Sequence, residues 1–195
     1  MRRLALGCTL ALLAVCVIPT AAGAGPEIPL PVRATIGEAD IRVHIRLNPD
    51  ENVLEYWISD ETRLWTVPVR DIVLVAEYTT NEGPVADDYY LVFVSATNGA
   101  LHFATADFYA AGCPEAVNLL AKQWGNQIEF GLIHSTDWAS RVMWPPELAG
   151  HEYFEFRETR PKTLRERLRK IALGPAIEYS PCETVRAFLA SHSGR

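Results

Sequence analysis

Apolar and polar residues alternate from residue 41 onward, and this alternation predicts a half-buried β-strand. Apolar residues occupy every second position from Ile41 to Leu47, and polar residues lie between them. A repeat of two is the side-chain period of a strand. Turn-forming residues follow at 48–52, and a second apolar and aromatic segment runs from Val53 to Ile58. The two segments therefore predict a β-hairpin.

Four more strands are predicted in the next fifty or so residues, separated by short polar segments. They are Arg63 to Val69, Ile72 to Tyr78, Tyr89 to Ser95 and Leu101 to Ala106. Asn98-Gly99 separates the last two. This pair is typical of a type I′ turn, in which both residues have positive φ. The chain from Val32 to Phe108 is thus predicted to be rich in β-structure.

A helix is predicted from Pro114 to Trp124, where the series of strands ends. Proline suits the first helical turn, and Glu115 complements the positive end of the helix dipole. The apolar side chains between Val117 and Trp124 recur at helical spacing, which favours burial against the sheet over ligand contact. Gly125 ends the helix, and Ile128 to Ile133 is predicted to be a further strand.

The composition changes after Trp144-Pro145-Pro146. Tyr153 to Arg157 and Ile177 to Tyr179 are predicted short strands, with a basic helix from Pro161 to Leu173 between them. Ser180-Pro181-Cys182-Glu183 has the residues of a capping box and predicts a last helix.

These elements together predict the fold class and the domain organisation. We expect an α+β fold, in which an antiparallel β-barrel or sandwich is closed by a helix and carries a smaller C-terminal α/β appendage. The predicted β-rich domain covers residues 25–143, and the appendage covers residues 144–195 and packs on it.

The first 24 residues have the pattern of a secretory signal peptide. Arg2 and Arg3 precede an apolar run from Leu4 to Ile18, and Pro19 and small residues follow. Spanning a bilayer takes about 20 apolar residues, so a retained membrane anchor is the weaker interpretation of this shorter run. Cleavage after Ala22 or Ala24 predicts a periplasmic or secreted protein.

Removal of the signal peptide changes the size and charge of the chain. Cleavage after Ala24 leaves 171 of the 195 residues, enough for one domain with a core. It removes two arginines and no acid, so the formal net charge of −6 becomes −8. A chain this acidic is not expected to bind nucleic acid through its bulk charge.

Two of the four cysteines lie inside the predicted signal peptide, which leaves Cys113 and Cys182. A single pair of thiols in an oxidising compartment predicts one disulfide bond. The alternative, a reactive or metal-binding cysteine, lacks support, because neither thiol belongs to a C-x-x-C motif.

The order of elements also resembles a known family. Several strands include Val69-Arg70-Asp71-Ile72-Val73-Leu74-Val75, a turn precedes Tyr89 to Val94, and the helix from Pro114 to Trp124 follows. From about Val32 to Gly125 this order resembles a bacterial pleckstrin-homology-like module, a bent antiparallel barrel plugged by a C-terminal helix. The resemblance implies an interaction scaffold rather than an enzyme.

Candidate catalytic residues occur in His134-Ser135-Thr136-Asp137. A base, two hydroxyl groups and an acid suggest a small secreted hydrolase using His134 and Asp137. The chain has no G-x-S-x-G motif, however, and residues of these types after a strand commonly form turns. The histidines also lack metal-binding spacing, so we expect no metal and no cofactor.

Two candidate binding surfaces remain. Trp138 and Trp144 flank Arg141 in an irregular segment and are the aromatic pair most suited to exposure. Arg165, Arg167 and Arg169 lie on the predicted basic helix. Its charged face is either solvated, in contact with the acidic body, part of a self-association surface, or in peripheral contact with an anionic membrane surface.

These observations favour a non-enzymatic binding or structural module of the cell envelope, with a protein or another envelope component as its partner. The hydrolase is the alternative.

Overall fold

A computed structural model describes residues 43–80, 88–160, 163–165, 167 and 177–193. These residues form an α+β fold of antiparallel sheets and two helices. The predicted signal peptide and most of the predicted basic helix lie outside the described residues.

The first sheet contains three antiparallel strands in the order β1-β2-β3. They are β1 (His44–Asn48), β2 (Val53–Ser59) and β3 (Thr62–Pro68). The predicted alternation is confirmed in β1: Ile45 is buried, and Val43 and Leu47 pack against the same core. The predicted hairpin between β1 and β2 is confirmed as well.

The second sheet contains four antiparallel strands in the order β6-β5-β4-β7. They are β4 (Ile72–Thr79), β5 (Tyr89–Thr97), β6 (Ala100–Asp107) and β7 (Ala139–Trp144). The tight turn between β5 and β6 is confirmed, because φ is 52° at Asn98 and 75° at Gly99. Within the described residues the sheets are not closed into a barrel.

Both faces of the second sheet are covered, because alternate residues of β4 and β5 point into different cores. Val75, Leu91 and Phe93 join the core that contains the first sheet and helix α1 (Cys113–Gln123). Leu74 and Val92 join a second core on the opposite face. We call these the first core and the second core.

The second core is completed by the C-terminal elements. They are β8 (Phe154–Glu158), β9 (Ile177–Pro181) and α2 (Glu183–His192), and β8 pairs with β9. The strands and helix predicted after Tyr153 are confirmed where they are described. The predicted capping box is wrong. Ser180 lies in β9, where it pairs with Glu155 of β8, and the helix begins after Cys182.

The predicted disulfide bond between Cys113 and Cys182 is also wrong, since both thiols are free. Cys113 is fully buried in the first core, whereas Cys182 packs against the second core and its thiol donates to the Glu152 carbonyl at 2.9 Å. The second sheet lies between the two cores. Counting thiols could not reveal this separation.

We expect the two thiols to differ in reactivity. Burial raises the pKa of Cys113 to about 12, and only the thiolate reacts readily with alkylating agents. Cys182 is only partly buried. Iodoacetamide should therefore label Cys182 in the native protein and label both cysteines only in denaturant, as mass spectrometry of the peptides would show. Native labelling of Cys113 ahead of Cys182 would contradict this assignment.

The chain between α1 and β8 differs most from the sequence prediction. Ile128 to Ile133 does not form the predicted strand, and β7 lies where no strand is predicted. β7 pairs with β4, and this pairing contains a β-bulge near Met143. The segment before β7 instead runs over the sheet as an irregular loop, which we call the 126–138 loop.

Candidate functional site

The predicted catalytic residues form part of a turn. The Thr79 hydroxyl donates to the Asp137 carbonyl at 2.7 Å, and the Ser135 amide donates to the Leu132 carbonyl. His134 and the Asp137 residue are exposed, and no hydrogen bond joins them among the described residues. The geometry thus supports the turn interpretation and supplies no oriented base for a hydrolase.

The predicted aromatic surface is divided between the two faces of the second sheet. Trp144 stacks on Trp124 beside the first core, with ring centroids 4.4 Å apart. The ring centroid of Trp138 lies 5.5 Å from that of Phe156, a residue of β8 that packs against the second core. The bulge in β7 changes the alternation between the two tryptophans. They therefore do not form one binding surface.

Arg141, the third predicted member of that surface, forms an ion pair inside the protein. Its Nε lies 2.8 Å from Oε1 of Glu77, whose side chain is 0 % exposed in the middle of β4. The same carboxylate accepts hydrogen bonds from the Gly131 amide and the Tyr89 hydroxyl. A second guanidinium nitrogen of Arg141 donates to the Glu129 carbonyl.

This cluster of Glu77, Tyr89, Arg141 and Gly131 holds the 126–138 loop on the sheet. Burial, and then the hydrogen bond to Glu77, raise the pKa of Tyr89 far above its ordinary value, so its hydroxyl remains a donor. A side chain at Gly131 would collide with the Arg141 guanidinium. Every group has a partner within the cluster, which indicates a structural role.

The predicted basic helix is described only in part. Arg165 and Arg167 are exposed, and the Arg167 amide donates to the Thr163 carbonyl at 3.1 Å, as in a helical turn. Arg169 lies outside the described residues. The membrane contact predicted for these arginines stays a prediction.

A cationic and aromatic cluster that sequence reasoning missed lies on the outer face of the first sheet. The three strands place His44, Arg46, Glu55, Trp57 and Arg63 together, and we call them the outer cluster. Cross-strand pairing explains the arrangement, because His44 pairs with Trp57, Arg46 with Glu55, and Trp57 with Arg63. Paired residues on antiparallel strands point to the same face.

Glu55 organises the outer cluster. Its carboxylate lies 2.7 Å from Arg46 Nε and 2.8 Å from Arg63 NH1, and the Trp57 indole donates to it at 3.3 Å. Burial by itself raises the pKa of Glu55, but the hydrogen bonds from Arg46, Arg63 and Trp57 outweigh that effect and lower the pKa below that of an ordinary glutamate. The carboxylate is therefore ionised at neutral pH.

The arginines and the aromatic rings of this cluster are stacked. The guanidinium carbon of Arg46 lies 5.1 Å from the centroid of the Trp57 ring, and that of Arg63 lies 5.5 Å from it. The His44 ring is parallel to Trp57, with centroids 6.0 Å apart. Glu55 is 2 % exposed, whereas Arg46 is 57 % and Arg63 45 % exposed. The surface thus presents positive charge, while the balancing carboxylate lies beneath it.

One sequence signal for the outer cluster was the polar side of β1. Arg42, His44 and Arg46 alternate with apolar residues, which is also the ordinary pattern of a solvated strand face. Glu55 and Trp57 lie in the next strand, and Arg63 in the one after it. Their convergence depends on the register of the sheet, which the sequence does not reveal.

Other site types find less support in the described part of the chain. A shallow groove of about 430 Å³ lies beside α1 and the 126–138 loop, and Asn118, Lys122 and Gln127 contribute to its lining. Among the described residues, no group of three His, Cys, Asp or Glu side chains is placed to hold a metal ion. No helix among these residues is long and apolar enough to cross a membrane.

No protein-family model matches this chain, and no curated protein or solved structure shows significant similarity to it.

Proposed function

We propose that this chain is a non-enzymatic binding module of the cell envelope, and that its outer cluster binds an acidic segment of a partner protein. The observation that carries the proposal is the pair of half-exposed arginines that one buried carboxylate holds beside Trp57. The location in the envelope rests on the signal-peptide pattern of residues 1–24.

The chemistry of the outer cluster suits carboxylates. Glu55 engages Nε of Arg46 and NH1 of Arg63, so each guanidinium retains further N–H donors. Arginine donors match a carboxylate in geometry, and their orientation by Glu55 reduces the entropy lost on binding. The cluster carries two arginines and one glutamate, a local charge of +1 in a chain of net charge −6. An acidic ligand is therefore attracted to this face in preference to the rest of the surface.

The β-sandwich expected from the sequence would serve as a scaffold for the outer cluster. The first and second sheets pack face to face through Tyr56, Trp65 and Phe93, with ring centroids 5.2 Å and 5.9 Å apart. We take this packing as a β-sandwich that supports the outer cluster, in keeping with the pleckstrin-homology-like resemblance. A peripheral contact with an anionic membrane is the alternative, and the vesicle measurement described below distinguishes it from an acidic peptide.

Replacement of Arg63 by Gln is expected to weaken binding of an acidic peptide about five-fold, a loss of about 1 kcal/mol. Arg46 still pairs with Glu55 in this variant, so the carboxylate does not become an unpaired buried charge. The measurement is fluorescence anisotropy with a fluorescein-labelled oligoglutamate. Binding should weaken as salt rises, because exposed charges are screened over about 8 Å at physiological ionic strength.

Arg157→Gln is the matched control, because it removes the same charge from an exposed arginine of β8 that pairs with Glu155. Its affinity for the peptide should stay within two-fold of the unchanged protein. Equal losses in the two variants would mean that binding reflects net charge only and would contradict the proposal. Binding to anionic vesicles but not to oligoglutamate would identify a membrane partner instead.

A further inference from the structure

The outer edge of β6 differs from the other edge of its sheet. The Trp65 indole donates to the Thr105 carbonyl at 3.0 Å, and the Asp107 amide donates to the Tyr56 hydroxyl at 3.3 Å. Both groups therefore point away from β5. Because backbone polar groups alternate along a strand, those of Leu101 and Phe103 also point away from β5.

The backbone groups of Leu101 and Phe103 and the Thr105 amide have no partner among the described residues. The β7 edge is occupied in contrast, because Val142 exchanges hydrogen bonds with Gly150 and His151. The edge of the first sheet at β1 is occupied by Ala111 in the same way. β6 thus offers a short row of unpaired donors and acceptors.

The side chains of β6 do not protect this edge. Natural proteins commonly block open edges with lysine, proline, inward-pointing charges or a bulge. The segment from Ala100 to Ala106 contains no Lys, Arg, Asp, Glu or Pro, and its pairing with β5 is regular. Although the whole chain is acidic, none of these seven positions carries a charge that would repel another strand.

From these observations we infer that the β6 edge is a self-association site, at which β6 pairs antiparallel with β6 of a second copy of this chain. This inference goes beyond the proposed binding function and does not use the outer cluster. The segment from Ala100 to Ala106 carries no charged residue, so two copies meet along it without like charges facing each other, in spite of their net charge of −6. The two four-stranded sheets would become one continuous sheet.

A two-fold axis at Phe103 satisfies the free groups. Phe103 then faces its own copy, and Leu101 of each chain faces Thr105 of the other, so the amides of all three residues find carbonyl partners. The Thr105 carbonyl can accept a second hydrogen bond beside that from Trp65. His102 and Ala104 are opposite one another, and no charged pair arises.

Thr105→Pro tests the site with the least change to the monomer. Proline removes the free amide, while the β5–β6 ladder does not use that amide. Light scattering coupled to size-exclusion chromatography should give a dimer for the unchanged protein at tens of micromolar, and a dissociation constant at least ten-fold higher for Thr105→Pro. Thr105→Val keeps the amide and should remain dimeric.

His102→Glu provides a second test that does not depend on proline being tolerated in the strand. His102 is exposed, and in the proposed dimer its substitution brings two like charges to diagonal positions across the axis. The dimer should weaken at least three-fold, whereas His102→Gln should leave it unchanged. A monomer at all concentrations, or a dimer that neither Thr105→Pro nor His102→Glu weakens, would overturn the inference.

Discussion

Replacing Glu77 by Gln is expected to lower the free energy of unfolding by about 3 kcal/mol, because it leaves the Arg141 guanidinium without its buried counter-charge. Gln also places an amide group among donors, since the Gly131 amide, the Arg141 Nε and the Tyr89 hydroxyl all donate to this side chain. Thermal unfolding followed by circular dichroism should show a melting temperature lower by roughly 10 °C.

Glu129→Gln is the matched control for this prediction. Glu129 is exposed in the same loop, and its backbone carbonyl rather than its side chain contacts Arg141. Its melting temperature should change by no more than about 1 °C, since exposed substitutions rarely move stability by more than about 0.5 kcal/mol. Hydrogen exchange at the Gly131 amide should quicken in Glu77→Gln only. Equal stability of the two variants would show that the ion pair does not hold the loop.

The local patterns were sufficient for most strands and for helix α1, whereas the capping box that predicted the last helix is not formed. Strands β1 to β6 have either strict alternation or a continuous apolar run, and α1 has a clear apolar stripe. These signals depend on neighbours a few residues apart, so they survive without knowledge of the fold. The Asn98-Gly99 turn is local in the same sense.

β7 was missed because its signals are not local. Ser140 and Arg141 reduce its apolar character, and the bulge interrupts its alternation. Both polar side chains find partners far along the chain: Ser140 accepts from the Phe154 amide at 2.8 Å, and Arg141 pairs with Glu77. The apolar segment Ile128 to Ile133 resembles a strand more closely, yet it is held as a loop by that same ion pair.

The predictions of the candidate sites were wrong for a related reason. The disulfide was predicted by counting thiols, and the aromatic surface by proximity in sequence, but the second sheet separates both pairs. Glu55 and Glu77 each lie inside a β-strand, and a carboxylate within a predicted strand is a further sequence signal that could have suggested a paired cluster. Their arginine partners depend on register and topology.

Gly112→Ala is expected to destabilise the protein by about 3 kcal/mol, because it combines two unfavourable effects. Gly112 has φ of 80°, a conformation that costs an L-residue about 1–2 kcal/mol. A Cβ there would also lie 2.6 Å from the backbone oxygen of Ile45, which cannot move without disturbing β1. Overpacking of this kind adds about 1–3 kcal/mol. The melting temperature should fall by roughly 10 °C.

Gly150→Ala separates the two effects. Gly150 has φ of 88°, but an added Cβ there meets no atom within 4 Å, so only the conformational cost of about 1–2 kcal/mol applies. Its melting temperature should fall by roughly 5 °C. The difference in melting temperature between the two variants measures the contact between Ile45 of β1 and Gly112, the residue before α1. This contact joins the first sheet to the helix. If Gly112→Ala and Gly150→Ala lower the melting temperature equally, Ile45 does not restrict Gly112 and the junction is looser than the structure shows.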